Sequence, residues 1–197
     1  GMLADLQAAA AGTIVVLHAC CHNPTGYDIS AAQWDQVIEA VKAGKLTPFL
    51  DMAYQGFGHG IAEDGAVVGK FVAAGLDVFV ATSFSKSFSL YGERVGALSV
   101  VCSTKEEAAK VLSQLKIMVR TNYSNPPIHG AAIVAQVLGT PELRALWEKE
   151  LGEMRTRIKA MRSKLVEGLK AAGVKQDMSF ITEQIGMFSY SGLSKEQ

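Results

Sequence analysis

Short apolar runs that alternate with helical patterns constrain the fold of this chain more than any other feature. Helical patterns separate the first three runs, and parallel strands need long crossover connections of this kind. The sequence therefore predicts an α/β fold in which helices cover both faces of a largely parallel sheet. The predicted strands cover residues 13–19, 48–51, 78–82 and 96–101.

Capping residues define three of the predicted helices. The first covers residues 31–42, with Ser30 as its N-cap and Gly44 as a left-handed C-cap. The second covers 66–74 and ends at Gly75. The third begins with the capping box Ser-Thr-Lys-Glu at 103–106 and continues to about Val119.

The last third of the chain carries a longer helical pattern. Thr140 and Pro141 mark the N-terminus of a helix that continues to Gly173, with apolar residues every three or four positions. A helix of some 30 residues is about 45 Å long, so we expect it to leave the sheet domain and enter a second one. A coiled-coil seam is the alternative. The arginines of this helix are expected to form a solvated face: Arg144, Arg155, Arg157 and Arg162.

The expected division is a partial large α/β domain over residues 2–150, followed by the long inter-domain helix and part of a small α+β domain over 151–197. A strand pair is expected to begin within 180–191. No closing element follows at 195–197.

Composition excludes several classes of function. Of the 197 residues, 49% are hydrophobic, and 19 basic and 19 acidic side chains give no net charge, so neither nucleic acid nor an anionic membrane is an expected partner. No apolar stretch approaches a membrane span and no secretory signal is evident, so a cytoplasmic location is expected. Adjacent Cys20 and Cys21 lack the spacing of a zinc site, and no metal is expected.

Chemically active side chains follow three of the predicted strands. Asn23 lies in the turn Asn-Pro-Thr-Gly after the first strand, and Asp51 and Tyr54 follow the second. Ser83 and Lys86 follow the third. Open α/β sheets bind ligands at the carboxyl ends of their strands, so these residues are candidates for one site. Asp51 could instead cap a turn, but a lysine among apolar and hydroxyl residues indicates a nucleophilic amine that forms a Schiff base.

The ordered set of motifs resembles the pyridoxal-phosphate aminotransferases of the aspartate and aromatic amino-acid group, which have fold type I. The motifs are Asn-Pro-Thr-Gly at 23–26, Asp-x-x-Tyr at 51–54, Ser-x-Ser-Lys at 83–86 and Gly-Glu-Arg-Val-Gly at 92–96. Each motif alone is modest, whereas their order and separation are specific. The likeness covers nearly the whole chain but only the middle and later part of a family member.

The resemblance implies a catalytic role for Lys86, Asp51 and Tyr54 with bound pyridoxal 5'-phosphate. Lys86 is expected to hold the cofactor covalently and to carry a proton during the reaction. Asp51 is expected to keep the pyridine nitrogen protonated, while Tyr54 and Asn23 donate hydrogen bonds to the phenolic oxygen of the ring. In the family, the peptide bond equivalent to Asn23–Pro24 is cis.

The remaining site residues bind anionic groups. Ser83 and Arg94 are expected to hold the cofactor phosphate. Arg120 is expected to reach into the neighbouring subunit of a homodimer and pair with the distal carboxylate of a dicarboxylic substrate. The substrates are an amino acid and a 2-oxo acid, and the choice between aspartate and an aromatic amino acid stays open.

Two family segments have no counterpart in this sequence: an earlier phosphate-binding turn and a later arginine that binds the substrate α-carboxylate. The resemblance therefore predicts that the chain starts inside the large domain, ends inside the small one, and is weakly active alone. The main hypothesis is an aminotransferase or its catalytic portion. The alternatives are a truncated fragment that folds or dimerises without turnover and, as a lesser option, a pyridoxal-phosphate lyase.

Overall fold

The computed structural model describes residues 1–194 and shows one four-stranded sheet. Its strands lie in the order in which the chain forms them, and the first three are parallel. The fourth runs antiparallel to the third. The predicted α/β class with a largely parallel sheet is confirmed, and strand ends differ from prediction by at most one residue. The strands are β1 Ile14–His18, β2 Thr47–Met52, β3 Val78–Ser83 and β4 Gly96–Val101.

Seven helices occur in the described residues, and three of them were not predicted from the sequence: Met2–Ala8, His129–Gly139 and Phe180–Glu183. Helix α3 begins at Ile61 and not at 66. A short 3-10 turn, Tyr91–Glu93, precedes β4. The helices are α1 Met2–Ala8, α2 Ala31–Ala43, α3 Ile61–Ala73, α4 Lys105–Asn122, α5 His129–Gly139, α6 Pro141–Ala171 and α7 Phe180–Glu183. Among the helices of residues 1–194, none combines the length and apolar character needed to cross a membrane.

The N-cap of α2 is as predicted, and its C-terminus is not. Ser30 and Gln33 form a reciprocal capping box. Gly44 keeps a right-handed conformation with φ −78°, and the left-handed residue is Lys45 with φ 50°. The left-handed residue thus comes one position later than predicted, and Leu46, which follows it, is buried in the core.

The N-cap of α4 is Thr104 and not Ser103. The backbone N–H of Glu107 donates to the Thr104 hydroxyl over 3.1 Å. Ser103 instead donates to Asp77 over 2.9 Å, so its hydroxyl is not used to cap the helix.

One face of the sheet forms the main core. Alternate residues of β2 are buried, as the two-residue period of a strand requires. Helices α2 and α3 pack on this face, with α1 against α2, so within the described residues these helices lie on one face of the sheet. The opposite face carries Asp51 and the stacked rings of Phe49 and Phe79, which are half-buried.

Helix α6 is continuous over 31 residues, about 47 Å at 1.5 Å per residue. Its buried side matches the predicted apolar stripe only in part, because Leu151 is buried whereas Met154, Met161 and Leu165 are substantially exposed. Arg162, which is not part of the stripe, is buried as well. The prediction of a wholly solvated arginine face is therefore wrong at Arg162, whose guanidinium donates four hydrogen bonds.

The strand pair predicted within 180–191 is absent from the described residues. Phe180–Glu183 forms the short helix α7, and the following segment is irregular. The Gln184 side chain supplies both an acceptor to Tyr190 N–H and a donor to the Tyr190 carbonyl. Side-chain hydrogen bonds thus satisfy backbone groups that a strand pair would have used. Residues 195–197 lie outside the described part of the chain.

Candidate active site

The site lies at one edge of the sheet, where the carboxyl ends of β1, β2 and β3 meet. His18 pairs with Asp51, and Asp51 with Ala81, across these parallel strands. Strand β4 starts at the same edge, because Gly96 pairs with Ser83. The loops after the three parallel strands and the segment before β4 therefore surround a common space.

Asn23 and Tyr54 come together from two different loops. The Asn23 amide nitrogen donates to the Tyr54 hydroxyl over 3.3 Å. The Asn23–Pro24 peptide bond is cis, as expected, and the backbone N–H of Asn23 donates to the His18 ring over 3.4 Å. Asn23 and Tyr54, which the sequence places in one candidate site, are thus in direct contact.

Lys86 joins this pair from the third loop. Its ammonium nitrogen lies 4.7 Å from the centre of the Tyr54 ring, a cation–π contact. Within residues 1–194 the Lys86 side chain has no hydrogen bond or ion pair, so it is available to a ligand. Asp51, three residues before Tyr54 on the adjoining strand, is half-buried at the same edge.

The loop that carries Lys86 is fixed by α6. The Trp147 indole N–H donates to the Ser87 carbonyl over 2.7 Å, and the Trp147 ring stacks on Phe88 at 4.7 Å. Phe88 also contacts the Phe84 ring edge-on at 5.5 Å. A half-buried aromatic cluster therefore holds residues on both sides of Lys86.

Ser83 and Arg94 lie on opposite sides of the β3–β4 connection. The Ser83 hydroxyl accepts a hydrogen bond from the Ser85 backbone N–H over 3.2 Å. Arg94 is exposed, takes a left-handed conformation with φ 53°, and donates to the Tyr91 carbonyl over 3.0 Å. The pairing of Ser83 with Gly96 places both residues at the edge of the sheet where Lys86 lies.

Arg120 stands apart from the other six predicted residues. It lies in the last turn of α4, is exposed, and donates to the Ser124 hydroxyl. Its described contacts include none of the other predicted site residues.

Asp64 is a site-supporting residue that the sequence analysis missed. It is buried, and its carboxylate accepts hydrogen bonds from the backbone N–H groups of Gly56, Gly58 and His59, over 2.8, 3.0 and 2.9 Å. These bonds fix the loop after Tyr54. The sequence does show an acidic residue, Asp64, eight positions after Gly56. Acidic residues are common in the first turn of a helix, so this spacing alone does not indicate that Asp64 binds the loop.

Asp64 also lies beside Cys20 and Cys21, and the three could in geometry hold a metal ion, with ligand atoms within 4.8 Å of one another. Their chemistry does not favour one. The carboxylate is occupied by three N–H donors, and a hydrogen bond from Cys21 together with burial raises the pKa of the Cys20 thiol. Because the thiolate is the ligand form, we assign these residues to packing and loop support.

The chain matches the profile of the family "Aminotransferase class I and II" over residues 1–197. It is 62% identical over 197 residues to an aspartate aminotransferase of Pseudomonas aeruginosa, covering 100% of this chain and 50% of that protein. It is 54% identical over 196 residues to the aromatic-amino-acid aminotransferase of Escherichia coli, covering 100% of this chain and 49% of that protein. The chain thus spans about half the length of these relatives.

Solved structures agree with these sequence matches. The aromatic-amino-acid aminotransferase of Burkholderia pseudomallei, covalently bound to pyridoxal phosphate, superposes with a TM-score of 0.96 at 68% identity, over 98% of this chain and 48% of that one. A mitochondrial aspartate aminotransferase of Trypanosoma brucei gives 0.96 at 44% identity, over 100% of this chain and 52% of that one. The chain therefore belongs to the class I and II aminotransferase family.

Proposed function

We propose that this chain is the catalytic portion of an aminotransferase that moves an amino group between an amino acid and a 2-oxo acid with pyridoxal 5'-phosphate. One observation carries the proposal. Three separate motifs converge on Tyr54, whose hydroxyl accepts from Asn23 and whose ring lies 4.7 Å from the Lys86 amine. An amine, a phenol, an amide and a carboxylate at one sheet edge fit the functional groups of this cofactor.

The cofactor supplies a ring that withdraws electrons from the substrate α-carbon. Lys86 would hold the cofactor covalently through Nζ, with loss of the aldehyde oxygen as water, and would carry a proton at that nitrogen. The Asp51 carboxylate would hold a proton on the ring nitrogen, and Asn23 and Tyr54 would donate to the phenolic oxygen. Ser83 and Arg94 would bind the phosphate, Arg94 through its guanidinium fork.

Substrate binding is proposed to need a second subunit. Arg120 has an exposed guanidinium that can pair with the distal carboxylate of a dicarboxylic substrate, and its hydrogen bond within the described chain is to Ser124. A homodimer with shared sites would bring it to the partner's cofactor. The relatives include both aspartate and aromatic enzymes, so both substrate types stay within the proposal. The cytoplasmic location remains a prediction from the sequence.

A second candidate is a fragment that folds or self-associates without turnover. It is favoured by the exposed apolar side chains of α4, including Leu112, Ile117 and Met118, and by the chain's span of half its relatives. This candidate and the first make different predictions for Lys86.

Borohydride trapping of pyridoxal phosphate tests the proposal. The chain is incubated with the cofactor, reduced, digested, and mapped by mass spectrometry. We expect a pyridoxyl group on Lys86 ahead of exposed lysines such as Lys110 and Lys116. Lys86→Arg, which keeps the charge but not the amine chemistry, is the matched control and should lose this label alone. Label spread evenly over surface lysines would favour the non-catalytic fragment.

A further inference from the structure

Arg162 is a buried cation with no carboxylate partner. Only 6% of its surface is exposed, and none of the ion pairs of residues 1–194 includes it. Its guanidinium donates to the carbonyls of Gln184 and Gly186 over 2.7 Å each and to that of Phe188 over 2.6 Å. It also donates to the Ser189 hydroxyl over 2.8 Å. A buried charge is tolerated only where oxygen acceptors replace water in this way.

All four acceptors belong to one segment, residues 184–190, which we call the 184–190 loop. Its ends are joined by the buried Gln184 side chain, which bonds both backbone groups of Tyr190 over 2.9 Å. The Ile185 N–H donates to the Gly26 carbonyl over 2.8 Å. The loop is therefore attached to α6 on one side and to the turn that carries Asn23 on the other.

The 184–190 loop also contacts the candidate site through an aromatic ring. Phe188 meets Tyr54 edge-on, with ring centres 5.6 Å apart and planes at 84°. The approach is close on both sides, since a Cβ added at Gly26 would lie 2.6 Å from the Phe188 carbonyl oxygen. A Cβ atom added at Gly186 would lie 2.5 Å from the Cβ atom of Cys21. The loop is thus closely packed against the turn at Gly26 and against Cys21.

We propose that Arg162 is a positioning residue for the active site: by holding three carbonyls of the 184–190 loop, it fixes Phe188 against the Tyr54 ring beneath Lys86. The effect on Tyr54 rests on geometry alone. The effect on cofactor attachment at Lys86 rests in addition on the proposed function. The competing explanation is that Arg162 only stabilises the fold.

Arginine is suited to this role and lysine is not. The guanidinium presents donors in a planar fork, and here Nε, Nη1 and Nη2 each reach a different part of the loop. A lysine ammonium is a single point and cannot reach all of these acceptors. Burial lowers the pKa of the Arg162 guanidinium from its ordinary value, but arginine remains charged in proteins.

Two variants and one control test the proposal without the cofactor. Arg162→Gln removes the charge, Arg162→Lys keeps it, and Arg157→Gln removes an exposed arginine of the same helix. The first readout is the NMR ring signals of Tyr54, assigned with Tyr54→Phe, since an edge-on ring shifts the resonances of its neighbour. The second is hydrogen exchange of the Ile185 and Tyr190 amides.

We expect both Arg162 variants to move the Tyr54 ring signals and to speed exchange of the two loop amides by at least about tenfold. Arg157→Gln should leave both readouts unchanged. Exchange of the Leu50 amide in β2 reports global unfolding. If Arg162→Gln does not fold, Arg162→Lys provides the same test. Unmoved Tyr54 signals in a folded Arg162 variant would overturn the proposal.

A cofactor readout separates this inference from the proposed function. If the unaltered chain takes the pyridoxyl label at Lys86, the Arg162 variants should label several times more slowly there, while exposed lysines label at the same rate. Equal labelling at Lys86 in a variant whose Tyr54 signals have moved would overturn the link to the site. If Lys86 of the unaltered chain takes no pyridoxyl label, the proposed function is wrong. The NMR signals of the Tyr54 ring then test the positioning role of Arg162 by themselves.

Discussion

Helices α4 and α6 are both amphipathic, yet they differ in what they bury. None of the 18 residues of α4 is buried, and Met118 is 63% exposed. Helix α6 buries Leu151 and Arg162 and contacts the loops that carry Tyr54 and Lys86. The comparison shows that an apolar stripe does not by itself determine burial. The side of α6 that packs is the side that meets loop carbonyls and aromatic rings of the site.

The largest difference is expected when one leucine is truncated in each helix. Leu151→Ala removes a side chain that is 1% exposed and packed with Tyr54 and Phe57, so it should lower the free energy of unfolding by about 2–5 kcal/mol. Leu112→Ala removes one that is 52% exposed and should change it by no more than about 0.5 kcal/mol. Urea denaturation of both variants measures the two values. Similar losses for both would mean that α4 is packed as firmly as α6.

The sheet and the main site were predictable from the sequence because local signals agree with tertiary ones. Each strand is a short apolar run, and parallel pairing brings the residues after β1, β2 and β3 to one edge. The contacts of Asn23, Tyr54 and Lys86 follow from this topology. The order of the motifs then indicated the aminotransferase family, and the match to the family profile confirms it.

The packing of α6 was not predictable, because it depends on polar acceptors far away in the sequence. Arg155 donates to the Gly56 carbonyl over 2.6 Å, and Arg162 to the 184–190 loop. These arginines share a face with Leu151 and Ile158, at steps of three or four residues. A pattern of apolar residues places arginine in solvent, whereas paired carbonyls let the guanidinium be buried. The irregular loop at 184–190 was missed for the same reason.

Trp147 offers a finer test of how α6 supports the site, because it both stacks on Phe88 and donates to the Ser87 carbonyl. Trp147→Phe keeps an aromatic ring but loses the donor, so the free energy of unfolding should fall by about 1 kcal/mol. Trp147→Leu loses the ring as well and should cost more. Thermal and urea unfolding of the pair separate the two contributions. If Trp147→Phe were as stable as the unaltered chain, the indole bond would be irrelevant to anchoring the Lys86 loop.

The smallest effect should come from removing the same cap from a packed and an unpacked helix. Ser30 caps α2, which buries five residues, and Thr104 caps α4, which buries none. Each side chain accepts one backbone N–H, over 3.3 and 3.1 Å, and replacing it with alanine costs about 1 kcal/mol of helix stability.

Because α2 is part of the core, Ser30→Ala should lower the stability of the whole domain by that amount. Helix α4 is not buried, so Thr104→Ala should release only its own first turn: exchange of the Glu107 amide should rise about fivefold, while that of Leu50 stays constant. Hydrogen exchange followed residue by residue measures both. If Thr104→Ala lowered global stability as much as Ser30→Ala does, α4 would unfold together with the sheet. Helices α4 and α6 would then differ in how exposed their side chains are, but not in whether they unfold with the rest of the domain.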